Sequence, residues 1–173
     1  GGTFSGTYEC AVNLDVALRL RELLEQRGLD TLMTRADNET AISNAERAMM
    51  ANQAGADVLL RIHANGSEDP GASGALALVP SAGNAYVGSL SAQSASLAQT
   101  ILDAYCSATG MANLGIQYND TMTGINWSKQ PVVILEMGFM TNEKDDMAMA
   151  DEAFRQTMAG GIAEGVEAYF KAE

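Results

Sequence analysis

Val58-Leu59-Leu60-Arg61-Ile62-His63-Ala64-Asn65-Gly66 is the stretch on which the fold turns. Val58, Leu59, Leu60 and Ile62 form a near-continuous apolar run, short and bounded by Asp57 and Asn65. A half-exposed strand would alternate, so this run reads as a strand covered on both faces. A second run, Val132-Val133-Ile134-Leu135-Glu136-Met137-Gly138-Phe139, has the same character and predicts a strand over 132–135. Further strands are predicted over 29–34, over 75–79 and around 115–118. Between them lie helical patterns. Val12, Val16, Leu20, Leu23 and Leu24 recur at helical spacing, with Arg19, Arg21, Glu22, Glu25, Gln26 and Arg27 as the polar face. This predicts a helix over 9–27, stopped by Gly28. Ser43 with Glu46 is a capping box that opens a second helix, ended by Gly55. Helices are also predicted over 90–109 and 153–170. Strands alternating with helices imply an α/β fold with helices on both faces of the sheet, here as one domain over 1–173.

The chain has 173 residues and a mass of 18.2 kDa, enough to bury a core. Its net charge is −12 and its pI about 4.3. It therefore lacks the basic footprint that holds nucleic acid or an anionic membrane surface. No apolar run reaches the roughly 18 residues of a membrane span. Cys10 and Cys106 cannot make a disulfide framework; they read as two buried thiols, with a single bridge between them as the alternative. The first ten residues carry neither the basic nor the apolar region of a secretion signal. They read as a glycine-rich loop without a methionine, so the chain is expected to be a portion of something longer.

In open α/β sheets reactive groups gather just past the carboxyl ends of strands. His63, the one histidine, and Glu136 each end an apolar strand, where an ionisable group is costly without partners. Taken alone, His63 is a satisfied core histidine or a functional one. Glu136 is a cap, a partner of Arg61 or Lys129, or a site carboxylate. Imidazole with carboxylates is the ligand set of a catalytic Zn²⁺ with an open position. There is no His-Glu-x-x-His helix, Gly-x-Ser-x-Gly elbow, Walker loop or Gly-x-Gly-x-x-Gly, so the common zinc-protease helix, serine hydrolysis and nucleotide binding have no support. Asn65 either orients His63 or lines a cleft, and Arg47 holds the sheet or Glu39. Trp127, beside Asn126, is either an exposed aromatic suited to a sugar or peptide or a lid on the core. The methionines at 137, 140, 147 and 149 read as packing.

Five stretches occur in order: Tyr8-Glu9-Cys10-Ala11-Val12-Asn13-Leu14, Met33-Thr34-Arg35, Ile42-Ser43-Asn44-Ala45-Glu46-Arg47-Ala48, Arg61-Ile62-His63-Ala64-Asn65-Gly66 and Leu135-Glu136-Met137-Gly138-Phe139-Met140-Thr141-Asn142. Together they resemble the successive motifs of the zinc-dependent N-acetylmuramoyl-L-alanine amidases of type 3, bacterial cell-wall hydrolases. The resemblance runs from about Gly6 to Phe170. It implies a twisted, mostly parallel sheet of six strands, about five of them in this chain. It implies hydrolysis of the amide between N-acetylmuramic acid and L-alanine in peptidoglycan. Carried over by position, Glu9 and His63 match zinc ligands and Glu136 matches the catalytic glutamate. The family's first histidine ligand would lie upstream of Gly1, so the resemblance implies Zn²⁺ with one ligand missing here. Cys10 sits about 100° around the helix from Glu9 and is poorly placed to replace it.

Three functional classes follow. The first is a secreted, spore-associated or phage-delivered amidase such as an autolysin, acting at the cell wall on peptidoglycan. The second is a non-catalytic peptidoglycan-binding module with an incomplete metal site. The third is an unrelated α/β hydrolase of small metabolites. No nucleic-acid partner or membrane insertion is expected. Loss of a first strand would expose a sheet edge open to self-association.

Overall fold

The computed structural model describes residues 1–34, 37 and 43–172. Arg35, Glu39 and Ile42, which entered the sequence reading, lie outside the described residues. The elements are α1 (Glu9–Gln26), α2 (Asn44–Ala54), β1 (Leu59–Asn65), β2 (Ala75–Val79), α3 (Ser91–Thr109), β3 (Asn113–Tyr118), α4 (Thr123–Asn126), β4 (Val132–Phe139), α5 (Glu143–Ala150) and α6 (Glu152–Lys171). The described strands form one sheet in the order β1-β4-β2-β3. β1 runs parallel to β4 and β2 parallel to β3, while β2 and β4 are antiparallel. The sheet is therefore mixed and mostly parallel.

Side-chain alternation divides the core into two layers. Leu60, Ile62 and Ala64 of β1, with Val133, Leu135 and Met137 of β4 and Ala75, Ala77 and Val79 of β2, face α1, α3 and α6. On the other face Leu59, Val132 and Ile134 meet Ala51 of α2, Ile125 of α4 and Val87. Tyr105 is fully buried, and its hydroxyl donates to the Met137 carbonyl at 2.7 Å, so the large ring enters the core without an orphaned polar atom.

Two expectations are corrected. The described sheet has four strands rather than about five, because residues 29–34 form no ladder. The Leu29 N–H turns back to the Leu24 carbonyl as part of the α1 stop, and Gly28 takes a left-handed φ of 79° there. Strand-like composition without a neighbouring strand leaves a connecting segment. Cys10 is exposed rather than buried, on the outer side of the first turn of α1, and the two thiols are not bridged. Two helices escaped the sequence pattern, α4 and α5.

The loops around the strand ends are held by adjacent carboxylates on α5. Asp145, 2% exposed, accepts from Ser73 Oγ and the N–H groups of Gly74 and Phe139. This ties the entry of β2 to the end of β4. Asp146, fully buried, accepts from the N–H groups of Phe4 and Ser5 and from Ser5 Oγ. It pins the loop that leads into Glu9. Thr3 N–H adds a bond to the Met140 carbonyl. Burial pushes the Asp146 carboxyl up, but the bonds from Ser5 and Phe4 outweigh it and hold the group below its ordinary 3.8.

A lowered carboxylate contributes stability that is present above its unfolded value and lost as pH falls through the folded one. Asp146→Asn should therefore cost about 2 kcal/mol at neutral pH, with the gap to wild type shrinking as pH falls below 3.8. Urea unfolding across that range checks this, and a gap independent of pH would contradict it. The close crossing of α3 and α6 yields a second expectation. A Cβ on Gly165 would lie 2.5 Å from the Ile101 Cα, whereas one on Gly160 would meet nothing within 4 Å. Gly165→Ala should destabilise by about 1–3 kcal/mol, and Gly160→Ala should stabilise by up to about 1 kcal/mol. Equal urea midpoints for the two variants would refute the packing described.

Candidate functional site

The parallel register of β1 with β4 sets Leu59 against Val132 and carries His63 to a position opposite Glu136. Both side chains leave the same face at the carboxyl ends of their strands. A register shift follows immediately, between His63 and Asn65, and Asn65 aligns with Phe139. That irregularity ends regular pairing just beyond the two ionisable groups, as bulges beside sites do.

Glu9 arrives from the other layer, around the side of β1 away from β4. Leu59 N–H bonds to Pro131 O and Asn65 O accepts from Met140 N–H, so those groups face β4. By alternation the Ala64 N–H points away from β4, and Glu9 Oε1 accepts it at 3.3 Å. The same oxygen lies 3.2 Å from His63 Nδ1 and accepts from Asn13 Nδ2 at 3.3 Å. An ionised carboxylate only accepts, so the proton between the pair sits on Nδ1 and leaves Nε2 as the imidazole's remaining polar atom. The His63 hydrogen bond holds the Glu9 carboxyl below its ordinary value against the opposing effect of burial.

Glu136 is set deeper. Its Oε2 is buried and meets no hydrogen-bond partner. Burial pushes its carboxyl above the ordinary value. His63 opposes that shift, Glu9 adds to it, and Arg61 opposes it. Neither Arg61 nor Lys129 forms an ion pair with it among the described residues. Arg61, 9% exposed on the same face of β1, gives Nη2 to Asn44 Oδ1 at 2.6 Å. His63 is not a core histidine, since its side chain is 34% exposed and that of Glu9 is 43% exposed.

The structure thus brings Glu9, His63 and Glu136 together at one end of the sheet. It does not make them a metal centre. Among the described residues no group of three His, Cys, Asp or Glu side chains is arranged to hold a metal ion, which overturns the expectation of bound Zn²⁺. The physical reason is visible in the donors. Glu9 Oε1 and His63 Nδ1 stand 3.2 Å apart as two donors, and Cys10, exposed, adds no third. Zinc needs about three protein ligands, and the residues present do not fit it.

The lesser candidates also resolve. Asn65 turns its Oδ1 to the Gly66 N–H at 2.9 Å and does not orient His63. Arg47 reaches Thr34 Oγ1 at 3.5 Å. Trp127 is 54% exposed, so it is no lid on the core. Met137 and Met149 are fully buried packing, whereas Met147 is 52% exposed. Asn13, which the sequence reading passed over, is a third donor to Glu9. Its signal was present in the i, i+4 spacing from Glu9 on one helix.

Similar proteins share this fold. The Bacillus subtilis N-acetylmuramoyl-L-alanine amidase LytC is 29% identical over 99% of this chain, which spans only 33% of LytC. The crystal structure of an N-acetylmuramoyl-L-alanine amidase from Clostridium difficile 630 superposes with a TM-score of 0.86 at 29% identity, covering 98% of this chain and 87% of that one. The catalytic domain of CwlV, an N-acetylmuramoyl-L-alanine amidase of Bacillus (Paenibacillus) polymyxa, gives 0.84 at 28% identity, covering 97% and 88%. The profile of the type 3 N-acetylmuramoyl-L-alanine amidases matches residues 1–168. With that match over nearly its whole length, and with the sheet and strand-end carboxylates already described, the chain belongs to the N-acetylmuramoyl-L-alanine amidase family.

Proposed function

We propose that this chain binds peptidoglycan as a non-catalytic module of the amidase fold, with Glu9, His63 and Glu136 as the polar floor of its binding site. The observation that carries this reading is the donor set. Family membership supports a wall ligand, while the described residues offer no three-ligand arrangement for zinc. The buried, unpartnered Oε2 of Glu136 is an acceptor whose hydrogen bond is unmade. An amide N–H of the stem peptide, or of an acetamido group, would satisfy the carboxyl once Glu136 turns toward the opening, and recover part of the desolvation cost. The half-exposed His63 and Glu9 give the same ligand a second, more hydrated set of partners. A wall ligand also implies placement outside the cytoplasmic membrane.

One observation favours a second reading, in which Glu136 is the general base for cleavage between N-acetylmuramic acid and L-alanine. Its carboxyl is raised by burial, as suits a group that must accept and return a proton. The two readings separate in one experiment. The chain is incubated with purified cell-wall sacculi, and both sedimentation and new N-terminal alanine are measured. The expected result is co-sedimentation without new alanine. Glu136→Ala and His63→Ala should each weaken co-sedimentation about tenfold. Alanine release abolished by Glu136→Gln would establish the second reading, and no sedimentation at all would refute the first.

A further inference from the structure

β3 ends the strand order of the described sheet, with β2 on one side and no described strand on the other. Two bonds fix the direction of its backbone groups. The Asn119 N–H reaches Val79 O, and Ala112 O accepts from the Ala75 N–H, so those groups face β2. Between them the register shifts, since Ala75 aligns with Asn113 but Ala77 with Ile116. Gly115, at a left-handed φ of 83°, is the extra residue of that bulge, and its N–H is taken by Asn113 Oδ1 at 3.0 Å. Beyond the bulge pairing is regular, with Leu78 against Gln117 and Val79 against Tyr118. By alternation from Asn119, the N–H and C=O of Ile116 and Tyr118 point away from β2.

Sheet edges are commonly guarded against pairing by charged side chains or proline. Asn113-Leu114-Gly115-Ile116-Gln117-Tyr118 carries neither. The chain has a net charge of −12, yet Asp120 is the one charged residue between Asp103 and Lys129. The Asp120 carboxylate is itself engaged by Ser81 Oγ and Asn84 Nδ2. α3, which packs on β2 and β3, carries no charge but Asp103, and its exposed Gln93, Ser96, Gln99 and Ser107 are neutral. Along this locally neutral margin Leu114 and Tyr118 are 45% and 61% exposed.

Such an edge is complementary to itself. With a two-fold axis at Gln117, two copies run antiparallel and Ile116 of one lies opposite Tyr118 of the other. Each opposed pair then exchanges both of its outward N–H and C=O bonds. Ile116 and Tyr118 share a face of β3, aligned with Ala77 and Val79 of the same core layer. The pairing therefore sets an aromatic side chain against a β-branched one across the axis, twice. Two chains this acidic repel over most of their surface, and a margin without charge lets them approach at low cost. We propose that the β3 edge joins this chain to a second copy, so that the sheet runs on from one copy into the other. β1 lies at the opposite end of the strand order, so the pairing leaves Glu9, His63 and Glu136 of both copies uncovered.

Sedimentation velocity of the chain alone reads this without any wall ligand. A contact of one short strand is small, so the expected dimer is weak, forming at roughly 0.1–1 mM chain. It should tighten as sodium chloride rises from about 0.05 to about 0.5 M, because salt screens the repulsion between two acidic chains. Tyr118→Lys should weaken it about tenfold or more while keeping the wild-type urea midpoint. Gln117→Cys gives a second readout. Opposed residues of a non-hydrogen-bonded pair have Cα atoms about 4.5 Å apart, within disulfide reach. Mild oxidation at about 1 mM chain should therefore link position 117 of one copy to position 117 of the other, as read by peptide mass. A dimer that Tyr118→Lys leaves intact, one that weakens with salt, or a link made through the exposed Cys10 instead would overturn the proposal. A chain still monomeric at about 1 mM in about 0.5 M salt would overturn it too, and leave the edge to an extended segment of another protein.

Discussion

The parallel pairing of β1 with β4 is the constraint on which the site depends. It aligns Leu59 with Val132 and so fixes His63 beside Glu136. A slip of β4 by one residue would turn Glu136 into the layer of α3 and α6, away from His63, and bring Leu135 out in its place. The apolar neighbours resist that slip, since Val133, Leu135 and Met137 are fully buried against those helices. The cost of leaving a carboxylate and an imidazole at the strand ends is thus borne by the packing of the strands below them.

A second tier of contacts positions Glu9. Asp146 and the Met140 carbonyl hold the loop before α1, and that loop starts the helix so that Glu9 reaches the side of β1 away from β4. There one oxygen takes the Ala64 N–H, the His63 ring and the Asn13 amide. Glu9 therefore covers part of the edge of β1 that faces away from β4 while fixing the imidazole. Among the described residues no third donor joins this pair, which is why the cluster is not a metal centre.

Much of this was legible in the sequence, for reasons that differ by element. β2 and the starts of β1 and β4 announced themselves as apolar runs, because strands covered on both faces must be apolar throughout. The capping box of Ser43 and Glu46 is present as read, with Asn44 as the first helical residue. Residues 29–34 misled because strand propensity is local whereas a ladder needs a neighbour. α5 was missed because its sequence, EKDDMAMA, carries two aspartates that look solvated and are instead among the most buried polar groups. Asn142 with Asp145 three residues on was a cap signal that could have found it. No local pattern could have shown that Glu136 Oε2 is unpartnered or that Trp127 is exposed, since both follow from how distant segments meet. The zinc expectation came from the imidazole and carboxylate donor types together with the family resemblance, and donor type alone does not show whether three such groups converge; among the described residues they do not.

The proposed wall-binding role rests on an amidase fold whose described residues gather no three-donor zinc site. Zinc content tests this most directly. The chain is loaded with excess zinc, dialysed exhaustively against metal-free buffer and analysed for metal per protein chain. The account predicts only a small fraction of an ion retained per chain, with the wild-type fold preserved. A full, chelator-resistant zinc ion on each chain, lost in both Glu9→Ala and His63→Ala, would contradict it.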